Sequence, residues 1–149
     1  MGSHTMSQEW LRMRIQEEQD RRKRESVTLE RLPEALRELY DTLKECLANY
    51  TAAFGPDTIE SQLLTSKIKI TLRELVGGRW MSAGKVEVVT VSDLPGFRVE
   101  RGEYSLAIEV GLLPTGKLYY RDCEQDKYLT MEDLTRKVLD RTLFPKLRE

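Results

Sequence analysis

Residues 29–56 read LERLPEALRELYDTLKECLANYTAAFGP, and this stretch decides the fold. Leu29, Leu36, Leu43 and Tyr50 recur at every seventh position, with Leu32, Leu39, Cys46 and Ala53 interleaved between them. Such spacing marks a helix with one apolar side. Tyr40 and Leu47 widen the stripe beyond the two-position seam of a simple coiled coil. The helix is therefore expected to lie against something broad, most simply a sheet. Gly55-Pro56 is its stop. Pro33 fits a helix only in the first turn, which places the regular start near Leu32.

Downstream the period changes. Residues 67–73 read KIKITLR, with Ile68, Ile70 and Leu72 alternating against Lys67, Lys69, Thr71 and Arg73, the pattern of a half-buried strand. Gly77-Gly78 breaks that run, and Val86, Val88 and Val91 mark the next. Pro95-Gly96 fits the centre of a type II turn, with the glycine at positive φ. Phe97 and Val99, then Leu106, Ile108 and Val110, then Leu118 and Tyr120 continue the series between glycine-containing turns. Thr130 followed by Glu132 and Asp133 reads as a helix N-cap, and Met131, Leu134, Val138 and Leu139 supply a buried side before Pro145.

Upstream, a first helix is expected from Ser7 to Glu25. Trp10, Leu11, Met13 and Ile15 give its start some apolar surface, whereas residues 16–25 contain no apolar side chain. Glu17–Arg21, Glu18–Arg22 and Asp20–Arg24 are acid-before-base pairs one turn apart, each worth about 0.2–0.5 kcal/mol to a solvated helix. The expected fold is α+β: N-terminal helices, an antiparallel meander of four or five strands, and a C-terminal helix (α-α-β4/5-α). Residues 1–5, MGSHT, have the composition of a vector remnant, leaving 6–26 as a charged arm and 27–149 as a single domain.

That remnant matters because His4 is the only histidine. Without it there is no Ser-His-Asp or Cys-His arrangement and no histidine-ligated zinc site. Gly84-Lys85 fails as a phosphate loop, since Arg79 stands where the first glycine belongs and Val86 where Ser or Thr would hold magnesium. No catalytic residue and no cofactor are expected. Charge is balanced, with 24 basic against 25 acidic side chains in 149 residues, so no overall field draws the chain to nucleic acid or an anionic membrane. Two widely separated cysteines and the lack of a long apolar run point to a cytoplasmic protein that does not enter a membrane.

What remains is surface. Trp10, Leu11, Met13 and Ile15, with Tyr40 and Leu47 on the wide stripe, are the candidate interface residues of a non-enzymatic protein-interaction module, expected to self-associate as a dimer. Two alternatives come from other classes. Arg21, Arg22, Lys23 and Arg24 form the only basic run, a candidate phosphate contact, although acids surround it and no aromatic interleaves for base stacking. Asp122, Glu124 and Asp126, with Asp133, echo the spacing of a calcium loop, but Lys127 replaces the glycine of its sharp turn.

Overall fold

The computed structural model describes the backbone of residues 2–147 and side chains from Ser7 onward, so the side chains of the suspected vector remnant lie outside the described residues. Two N-terminal helices were expected, but one continuous helix, α1 (Gly2–Phe54), is found. Pro33 sits inside it rather than in its first turn. An interior proline removes one helical hydrogen bond and costs roughly 3 kcal/mol. Flanking burial of Thr28, Leu32, Ala35 and Leu36 offsets that loss, and the ring itself is exposed. The polar stretch is held helical by its own side chains: Arg21 bonds both Glu18 and Glu25, and Thr28 Oγ1 donates to the Arg24 carbonyl at 2.8 Å.

A short 3-10 turn (Pro56–Thr58) leads into the sheet. Its strands are β1 (Ile59–Leu63), β2 (Lys67–Val76), β3 (Arg79–Val91), β4 (Gly96–Arg101), β5 (Tyr104–Leu112), β6 (Leu118–Asp122) and β7 (Lys127–Leu129), and α2 (Met131–Leu143) follows. Seven strands replace the four or five expected, paired in chain order and antiparallel throughout. The two that periodicity missed are the edges. β1 alternates only half-buried residues, and β7 is too short to show a period. The overall class stands as α+β.

Register places the apolar positions in rows. Ile68 pairs Val88, Val88 pairs Val99 and Val99 pairs Leu106, while Phe97 pairs Ile108 and Val110 pairs Tyr120. Leu36, Leu39 and Leu43 of α1 and Leu134 and Val138 of α2 pack on this face in one buried cluster. The opposite face carries ion pairs, with Lys67, Lys69 and Lys85 around Glu87 and Arg98 beside Glu100. One face dry and one wet is the ordinary economy of an antiparallel sheet. Thr130 and Asp133 form the reciprocal capping pair at the start of α2, as the sequence indicates.

Three glycines act by close approach rather than by turn conformation. Gly96 lacks the positive φ expected of a type II turn and instead opens β4. A Cβ there would lie 2.1 Å from the Ile108 carbonyl oxygen. At Gly84 a Cβ would lie 2.7 Å from the Thr142 carbonyl, so this residue lets α2 cross the sheet. Beside it the pairing of β2 with β3 shifts between Leu72 and Arg73, a bulge that moves Trp80 and Met81 out of the earlier alternation. The third, Gly111, lies under the Tyr119 ring.

The close-approach account predicts unequal costs. Gly96→Ala should lose on the order of 3 kcal/mol in urea denaturation, because backbone rather than a flexible side chain must move. Gly102→Ala, at φ 59 with nothing within 4 Å, should lose only about 1 kcal/mol. Equal losses at the two positions would contradict this reading.

Candidate functional site

Between Ser7 and Val27 every residue of α1 is exposed except Glu18 and Glu25, which are half-buried. From Ser7 to Val27 no side chain of α1 is buried, and Thr28 is the first that is. Trp10, Leu11, Met13 and Ile15 are 64%, 44%, 58% and 48% exposed. These four side chains lie on the part of α1 that precedes its first core residue. Tyr40 and Leu47, the other two candidate interface residues, are occupied within the chain. Leu47 is only 4% exposed, and the Tyr40 hydroxyl lies 3.3 Å from Ser61 Oγ.

At the far end of α1 a groove opens between the two helices. Cys46, Tyr50, Ala53 and Phe54 line one wall and Leu139, Leu143 and Phe144 the other, around about 540 Å³. Tyr50 contacts Phe54 at 4.7 Å and Phe144 edge-on at 5.8 Å between ring centroids. Burial pushes the Tyr50 hydroxyl above its ordinary pKa, and the nearby Glu74 charge adds to that. Glu132, Asp140 and Arg136 stand at the rim. The sequence hinted at this groove, since Tyr50 and Ala53 continue the heptad, but the second wall comes from residues about ninety positions later. Close by, Lys146 pairs with Glu74, beyond which Leu75, Val76, Trp80 and Met81 are exposed at the tip of the β2–β3 hairpin.

The basic run is partly neutralised in place. Arg21 is held by Glu18 and Glu25, and Arg22 reaches Glu18 at 3.5 Å. The bond to Glu18 is the main reason the Arg21 pKa is raised further. Lys23 and Arg24 extend from the same exposed helix, and Arg24 borders a hollow with Pro95, Gly111 and Tyr119.

The acidic segment forms the hairpin turn between β6 and β7. Its three carboxylates do not converge. Asp122 is 1% exposed on the helix-covered face, where Oδ1 accepts the amides of Glu124 and Gln125 and Oδ2 meets Lys137 Nζ at 3.1 Å. Asp126, at a positive φ of 53°, pairs with Arg121 at 2.8 Å on the other face. Among the described residues no group of three or more acids, cysteines or histidines is placed to hold a metal. Burial pushes the Asp122 carboxyl up, yet the two amides and Lys137 together hold it below its ordinary value.

The paired tyrosines divide as strand alternation requires. Tyr120 is buried and stacks on Phe97 at 6.0 Å, while Tyr119 lies over Gly111 on the wet face. Its hydroxyl donates to Glu109 Oε1 at 2.7 Å, and Arg121 Nη2 donates to Glu109 Oε2 at 2.9 Å. Burial, and next the bond to Glu109, push the Tyr119 pKa up to about 12, while Arg121 holds Glu109 low. Every polar group in this network has a partner that stabilises its resting charge, an arrangement that braces the sheet rather than priming a proton transfer. On the helix side Arg101 stacks on Tyr104 at 4.8 Å. No family model, no curated protein and no solved structure matches the chain.

Asp122→Asn should cost about 2 kcal/mol in chemical denaturation, because Lys137 loses its buried partner. The folded carboxyl titrates below the unfolded one, so its contribution is complete above about pH 4 and is lost as pH falls through the depressed value. The variant should therefore show a flatter acid limb in a stability–pH profile. An unchanged limb would mean that this carboxylate is not the titrating group.

Proposed function

We propose that this chain is a non-enzymatic protein-interaction module that self-associates through its N-terminal arm. The observation that carries the reading is the exposure of Trp10, Leu11, Met13 and Ile15 on the part of α1 that precedes its first core residue. Folding leaves these four side chains in water, where each large apolar group forgoes roughly 1.5–3 kcal/mol of burial. An isolated polar helix needs no such residues. A helix that docks on another surface does.

Support also comes from the groups that a catalyst would need. The strongly held side chains, Asp122, Glu109 and Arg121, are each engaged with structural partners. The groove between α1 and α2 is apolar and suits a side chain better than a charged substrate.

Sedimentation velocity of the full chain at micromolar concentration is the test. The expected result is a dimer, with conversion to monomer by the double change Trp10→Ser and Ile15→Ser and an unaltered circular dichroism spectrum. A monomeric full chain under those conditions would remove the proposal.

A further inference from the structure

We infer that the arm's receptor is the α1/α2 groove of a second copy of this chain, so that two copies exchange their N-terminal helices. This rests on the self-association reading and adds to it the seat of the contact. The argument begins with a mismatch inside one molecule. The chain carries an unsatisfied apolar helix segment at residues 10–15 and an unsatisfied apolar groove around residues 46–54. Both stand on the same unbroken helix. Helical rise separates them by roughly 50 Å, and no turn intervenes to fold one back on the other. The arm therefore cannot fill its own groove. A copy can.

The two elements also match in phase and charge. Trp10 and Met13 precede Cys46 and Asn49 by 36 residues each, about ten helical turns, so they project from the side of α1 on which the groove opens. Between Trp10 and Ile15 the arm carries Arg12 and Arg14 and no acid, whereas the groove is rimmed by Glu132 and Asp140 with only Arg136 against them. Arg12 and Arg14 now pair with Glu9 and Glu17 across open water, contacts weak enough to exchange. An aromatic side chain buries about 150–250 Å². Reciprocal docking about a two-fold axis closes the pair, whereas one-way docking would chain copies into a fibre.

A disulfide trap on the full chain tests the seat. In a Cys123→Ser background, Met13→Cys is combined with the native Cys46 of the groove and oxidised at micromolar concentration. The expected product is a covalent dimer whose cross-linked peptides join position 13 of one copy to Cys46 of the other. A second variant, Ala53→Arg, places a charge in the groove at an exposed position and should weaken dimerisation at least tenfold with an unchanged circular dichroism spectrum. A dimer linked only between the two position-13 cysteines, or one unaffected by Ala53→Arg, overturns arm-in-groove docking while leaving self-association intact. A monomer in sedimentation overturns both.

Discussion

The leucine stripe of α1 pressed on the apolar face of the sheet is the contact on which the rest of the molecule depends. A meander is held by neighbour-to-neighbour pairing, which sets register but leaves one face of apolar side chains in water. α1 closes that face through Leu36, Leu39 and Leu43, and α2 completes the cover with Leu134 and Val138. Each such side chain contributes roughly 1.5–3 kcal/mol by leaving water. The glycine at 84 then follows as a geometric consequence, since the α2 backbone passes close to β3 at the Thr142 carbonyl, whereas Gly96 answers to the neighbouring strand at Ile108.

The same stripe explains where the molecule stops being a domain and becomes an arm. Continuing the heptad backward from Leu32 and Leu29 gives Glu25, Arg22 and Glu18. Charged seam positions cannot lie on an apolar sheet, so α1 leaves the domain there while its own ion pairs keep it helical. One step further back the seam turns apolar again at Ile15 and Leu11. The arm thus carries a second, exposed piece of the apolar seam beyond the reach of its own sheet.

The polar groups show the same division of labour. Asp122 ties the β6–β7 turn to α2 through two amides and Lys137. Glu109, Tyr119 and Arg121 brace the wet face across neighbouring strands. Both are buried or half-buried networks in which each member has a partner, the condition under which polar groups specify a fold rather than weaken it. The acids at 122, 124 and 126 straddle the β6–β7 turn, where the chain leaves strand geometry and residues two apart no longer share a face, which is why the calcium-like spacing does not become a cluster.

Local periodicity by itself determined the α+β class, the apolar side of the main helix, the alternating runs of the inner strands and the cap at Thr130. Each of these follows from side-chain alternation or helical phase within a few residues, and the arm's apolar quartet was legible for the same reason. Only the tertiary structure decided that Pro33 lies within one continuous helix, that the edge strands β1 and β7 exist, that Gly96 serves close packing, and that Leu47 is taken up by the core of its own chain. It alone made the groove, by setting Leu139, Leu143 and Phe144 beside Tyr50 and Ala53. The physical reason is distance along the chain: burial that offsets a proline or pairs an edge is contributed by residues far away in sequence, and no local pattern carries it.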